Sequence, residues 1–101
     1  MKKYDVLVYG PIFCDLIFTG LNTLPILGQE IFSEDFTLTA GGSAIVAHGL
    51  HRLGVRVGLI ADLGNDPISS LIWAILGDLG FDRSFIQIDK RHLNKFMVAV
   101  S

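Results

Sequence analysis

The sequence predicts an α/β fold: a mainly parallel sheet with flanking helices, carrying a small β-sheet lid. Three observations predict it. Apolar runs at residues 5–9 (DVLVY) and 57–61 (VGLIA) are continuous rather than alternating, which suits strands buried on both faces. Two helical stretches lie between strand-like runs, and both stop at Leu-Gly, at Leu53-Gly54 and at Leu79-Gly80. The segment from residue 12 to 39 breaks this alternation and is too long for a connection without structure of its own.

Taken in order, the first strand covers residues 5–9 and ends at Gly10-Pro11. The excursion that follows holds Leu24-Pro25, Gly28 and the β-rich run IFSEDFTLT at residues 31–39. Residues 17–21 and 32–38 are expected to form an antiparallel pair standing off the main sheet, with residues 96–100 joining it. Gly41-Gly42 then precedes a helix over residues 43–53, with Gly54 at the position after the helix that favours left-handed backbone. A strand at 57–61 leads to Asp66-Pro67, an N-cap acid followed by proline at the first helical position. That helix ends at Leu79-Gly80, and residues 85–88 alternate like a half-exposed strand.

Composition narrows the function. Half of the 101 residues are hydrophobic and only 18% are charged, against roughly 25% in average usage. A membrane or further protein is therefore expected to cover the surface. The longest apolar run, LIWAIL at residues 71–76, falls far short of the ~20 residues of a spanning helix. Asp5 interrupts the basic start MKKYD before any secretory apolar stretch develops, so a cytoplasmic location without membrane partners is expected. The single Cys14 cannot form an intrachain disulfide and reads as a buried thiol. Net charge is −2 with no basic cluster longer than Lys90-Arg91, so no nucleic-acid partner is expected. More protein is the remaining cover, and these 101 residues are expected to be part of a larger functional unit.

The glycine pair raises the functional question. In open α/β sheets ligands settle at the carboxyl ends of strands, where loops lead into helix N-termini. Bare backbone there exposes N–H groups to a phosphate or a polyhydroxylated sugar. A lone pair of glycines serves as well for a tight strand-to-helix turn. Neither a GxGxxG fingerprint at the first strand turn nor a GxxxxGK[ST] loop is present.

The pair has company. Gly10 and Asp15-Leu16-Ile17, then Leu24-Pro25 with Gly28 and Glu30, then Gly41-Gly42-Ser43-Ala44 with Ala47 and Arg52-Leu53-Gly54 occur in order. Asp62-Leu63-Gly64-Asn65-Asp66-Pro67 and Leu79-Gly80-Phe81-Asp82 follow. This succession resembles the ribokinase-like (PfkB) carbohydrate kinase family over nearly all of the chain. The resemblance implies transfer of the ATP γ-phosphoryl to a hydroxyl of a sugar, nucleoside or similar small molecule. It implies that residues 1–101 are the N-terminal part of one such domain, with lid segments at about 12–39 and 85–101.

By the same resemblance Asp15 would accept hydrogen bonds from substrate hydroxyls, and Gly41 and Gly42 would line the sugar site, with Ser43 and Ile45 completing the candidate set. A carboxylate, being acceptor-only, suits a diol, although a strand-end aspartate also caps turns. Ile45 and Phe13 stand where the family usually has asparagines, and Ser69 where it has glycine. The family's Gly-x-Gly-Asp element, which supplies the base and phosphoryl-holding amides, is absent from these residues. No catalytic residue is expected in this chain, and ATP and Mg²⁺ are expected only with the complete protein.

Other candidates are weaker. His48 and His51 lack a third ligand at helical spacing, so no metal site is expected. Ser43 and Ser70 have no partner base, and Trp73 with Leu71, Ile72, Ile75 and Leu76 reads as core. A homodimer through exposed lid-strand edges is expected. The rival functional reading is a non-catalytic sugar-binding or assembly module of the same fold.

Overall fold

Residues 3–101, the part that the computed structural model describes, form two three-stranded sheets and two helices. In chain order these are β1 (Val6–Tyr9), β2 (Ile12–Thr19), β3 (Asp35–Gly42), α1 (Ser43–Arg52), β4 (Val57–Leu63), α2 (Pro67–Asp78), β5 (Ile86–Ile88) and β6 (Phe96–Val100).

The first sheet has the order β1-β4-β5 and is parallel throughout, with Val6 opposite Val57 and Ala61 opposite Ile86. β4 is its middle strand, and Val57, Leu59, Ala61 and Leu63 are all buried. A continuous apolar run is what such a position demands. The second sheet has the order β3-β2-β6. β2 and β3 pair antiparallel from Ile12 opposite Gly42 to Thr19 opposite Asp35, and β6 lies parallel to β2.

The α/β expectation therefore holds, with two refinements. The expected antiparallel pair is longer than residues 17–21 and 32–38, because the ladder runs back to Ile12 and forward to Gly42. Its inner end is core: Ile12 and Cys14 are fully buried, as is Ala40 nearly so, against α2. Burial pushes the Cys14 thiol up from its ordinary value. Of residues 85–101, β5 extends the first sheet and β6 alone joins the second.

Each helix has the predicted punctuation. Asp66 caps α2 by accepting from the Ser69 N–H at 2.9 Å, with Pro67 at the first position. Just past the end of α1, Gly54 has a φ of 86° that lets the Val55 N–H turn back to the Leu50 carbonyl at 3.1 Å. On α2, Ile72 and Leu76 are fully buried, while Trp73 and Ile75 pack partly buried at the margin and Leu71 is 39% exposed. The Arg83 guanidinium lies 4.3 Å over the Trp73 ring, which puts that indole beside a cation rather than deep in the core. His48 and His51 both lie against the Phe81 ring, with centroids 6.2 and 5.4 Å away. No helix among the described residues is long and apolar enough to cross a membrane.

Candidate functional site

The two sheets meet where β1 passes through Gly10-Pro11 into β2 and where β3 passes into α1. Gly41 and Gly42 are the last residues of β3 rather than a loop, so they pair with Phe13 and Ile12 in the ladder. Asp15 stands on the same face of β2 as Phe13, opposite Thr39 on one side and Met97 on the other.

The question posed by the glycines has a different answer at each. A Cβ placed on Gly41 would fall 2.3 Å from Asp15 Oδ2 and 2.5 Å from Oδ1. The carboxylate thus lies directly over bare backbone, and any side chain at 41 would take its place. Gly42 combines a φ of 65° with a Cβ position 2.3 Å from the Pro11 carbonyl oxygen and 2.9 Å from the Phe13 ring. It serves the tight passage from strand to helix.

Ser43 secures that passage from the other side. Its N–H donates to the Pro11 carbonyl at 2.9 Å and its hydroxyl donates to the Gly10 carbonyl at 3.1 Å. α1 starts without a side-chain cap and without an acidic residue in its first turn, which leaves its N-terminal dipole unbalanced by its own side chains. Asp15, Gly41, Gly42 and Ser43 are therefore gathered at one joint. Ile45 lies in the first turn of α1 and is 61% exposed. A recess of about 160 Å³ lined by Tyr9, Gly10, Pro11, Ala61, Asp62 and Lys95 opens beside them, at the carboxyl ends of β1 and β4.

Among the described residues no three His, Cys, Asp or Glu side chains gather so as to hold a metal ion. Arg91 is engaged by Asp89 in an exposed pair at 2.8 Å rather than turned to the joint.

One residue has a role the sequence reading missed. Asp66 was legible as a helix cap, but its second oxygen also accepts from the backbone N–H groups of Leu93 and Asn94, at 2.9 and 3.2 Å. Burial opposes its charged form, yet the donors from Ser69, Leu93 and Asn94 outweigh burial and hold the carboxyl well below the usual carboxylate range. No sequence signal announces such a bond, because its partners are main-chain groups.

A parallel α/β layer joined at its strand ends to a second, mixed sheet defines the class: this is an α/β chain of the ribokinase type. More particularly, the family model described as pfkB family carbohydrate kinase matches residues 3–101, and the chain belongs to that family. Among solved structures, the ribokinase from Cryptococcus neoformans var. grubii serotype A in complex with ADP is 28% identical. Its TM-score is 0.70, with 95% of this chain and 30% of that one covered. Halothermothrix orenii fructokinase is 34% identical, with a TM-score of 0.64, over 86% of this chain and 30% of that one. Arabidopsis thaliana ribokinase complexed with ribose and ATP shares the fold, at 22% identity and a TM-score of 0.76, over 98% of this chain and 32% of that one. The chain spans about a third of the length of these structures. A search among curated proteins finds no match.

Proposed function

We propose that this chain is the substrate-binding and lid portion of an ATP-dependent kinase that phosphorylates a hydroxyl of a sugar, nucleoside or similar small molecule. The observation that carries the reading is the Asp15 carboxylate lying over the bare backbone of Gly41 at the joint of two sheets. An ionised carboxylate accepts two hydroxyl donors at once, and a vicinal diol presents two. The bare backbone of Gly41 is what lets that carboxylate lie against β3. Phe13 and Ile45 give the same joint an apolar side, suited to the C–H face of a sugar or to a base.

In this reading β2, β3 and β6 close over the substrate as a lid, and residues 1–101 form the N-terminal part of one kinase domain. Substrate binding falls to Asp15, Gly41, Gly42, Ser43 and Ile45. The ADP held by the Cryptococcus ribokinase supports an adenine nucleotide as the phosphoryl donor. In this reading Mg²⁺ acts with ATP in the complete protein, and among the described residues no three His, Cys, Asp or Glu side chains gather to hold it. The family's Gly-x-Gly-Asp element, absent from this sequence, would supply the base in the complete protein. Exposed strands β3 and β6 suit a homodimer, and the unpaired Cys14 accords with a cytoplasmic setting.

The test is turnover. The complete gene product, given ATP, Mg²⁺ and a panel of pentoses, hexoses and nucleosides, should release ADP with at least one acceptor. Asp15→Ala should weaken binding of that acceptor at least about tenfold, the scale of one lost charge-assisted hydrogen bond. Calorimetric binding without turnover would favour the non-catalytic module, for which the apolar Phe13 and Ile45 speak. Neither binding nor turnover would end the kinase reading.

A further inference from the structure

We propose that Asp66 is a positioning residue whose outer carboxylate oxygen sets the stance of β6 and, through it, the flank of Asp15. A helix cap needs one oxygen, and Oδ1 meets that need by accepting from the Ser69 N–H at 2.9 Å. Oδ2 is left for other work. It accepts from the Ser69 hydroxyl at 2.9 Å and from the N–H groups of Leu93 and Asn94 at 2.9 and 3.2 Å. Asp66 is only 1% exposed, so water does not compete for its oxygens.

The segment it holds is the launch of β6. Asn94 has a φ of 47°, an uncommon left-handed turn for a residue with a side chain. One residue later the Lys95 carbonyl accepts from the Cys14 N–H at 2.9 Å, beside the start of the β2–β6 ladder that places Met97 opposite Asp15. The same segment is docked on the end of β4 by two further bonds. The Asp89 N–H donates to the Leu63 carbonyl at 2.7 Å, and the Asn65 N–H donates to the Arg91 carbonyl at 3.0 Å. Gly64 permits this contact, since a Cβ there would fall 2.5 Å from the Arg91 oxygen and 2.7 Å from the Leu93 nitrogen.

β6 has little else to steer it. All five of its residues are exposed and none belongs to the buried core, so core packing does little to fix its direction. A strand without core contacts takes its orientation from its hydrogen bonds, which here are the ladder with β2, the two bonds that dock residues 89–91 on the end of β4, and the turn at Asn94. Asp66 controls the last of these. It touches no substrate in this arrangement, and its influence on the sugar rests on the reading of Asp15 given above.

Asp66→Ser tests the assignment, because serine caps helices about as well as aspartate but has no second oxygen to reach Leu93 and Asn94. In the complete gene product, amide hydrogen exchange over residues 93–100 should accelerate at least about tenfold, the scale of one lost bond to a charged acceptor. Exchange over α2 should stay within about twofold, and the Kd for the acceptor sugar should rise by about tenfold. Unchanged exchange at 93–100, or equal acceleration in α2, would overturn the proposal and leave Asp66 a structural cap. Loosened β6 with unchanged sugar affinity would overturn the link to Asp15. A wild-type protein that binds no sugar would overturn the kinase reading instead, while the exchange comparison still judges β6. Should Asp66→Ser express poorly, Asn94→Val leaves the cap intact and opposes only the left-handed turn. It must give the same pattern of exchange, and failure to do so counts against the proposal.

Discussion

The neighbouring glycines at the sheet joint are not equivalent, and substitution separates them. A methyl at Gly41 would collide with the tip of the Asp15 side chain, which can swing away, whereas a methyl at Gly42 would collide with the Pro11 main-chain oxygen. Gly42 also has a left-handed φ, worth roughly 1–2 kcal/mol against any side chain, and backbone overpacking adds about 1–3 kcal/mol. Gly42→Ala should therefore lower the melting temperature clearly. Gly41→Ala should leave it within a few degrees, on the scale of about 1 kcal/mol or less for a displaced side-chain tip, yet under the proposed function weaken acceptor binding about as much as Asp15→Ala does, by moving the carboxylate. Thermal unfolding and calorimetry on the two variants read both effects. A Gly41→Ala protein that binds sugar normally would show that Asp15 need not lie where it does. The pairing of Asp15 with the glycines was legible only through the resemblance, because spacing along the chain does not report a contact between strands. The double duty of Asp66 was not legible at all, since its second partners lie 27 and 28 residues away and are backbone amides.

At the scale of elements, what was legible followed from local chemistry. Asp66-Pro67 and the two Leu-Gly stops fixed both helices, because caps and breakers act within a turn of where they stand. The bounds of β2 and β3 were less legible. Gly10-Pro11 reads locally as the start of a loop, but the pairing of Ile12 with Gly42 brings the ladder back to the residue directly after it. That pairing is non-local, and burial of Ile12 and Cys14 beneath α2 is what sustains it. The same division between local and tertiary terms makes a prediction for α1. Gly49 sits inside this helix, and a Cβ there would meet nothing within 4 Å. Alanine should then contribute its helix propensity without steric cost. Gly49→Ala is expected to stabilise the fold by about 0.5–1 kcal/mol in denaturant unfolding. A destabilised variant would reveal that some neighbour does approach this face.

Across the whole molecule the distribution of apolar surface is uneven. The radius of gyration is 15.7 Å, against about 13 Å for a compact domain of this length, because the second sheet reaches out from the first. β1 is an edge strand of its sheet, yet Leu7 and Tyr9 on it are 57% and 80% exposed. In the second sheet Leu38 and Val98 flank Leu16, and Phe36 and Val100 flank Phe18, so these side chains share one face. All four flanking residues are exposed. Monomers seldom leave such patches bare, since apolar area in water costs about 25 cal/mol per Å² and edge strands invite pairing. The 101-residue polypeptide expressed by itself should accordingly bind an apolar dye strongly and elute from size exclusion at a mass that grows with concentration. A longer protein that covers these surfaces, as the proposed function holds, should do neither beyond a discrete oligomer. A dye-silent, monomeric 101-residue chain would mean that this much exposed apolar surface is tolerated, and the mean hydropathy of +0.52 would lose its explanation as surface awaiting cover.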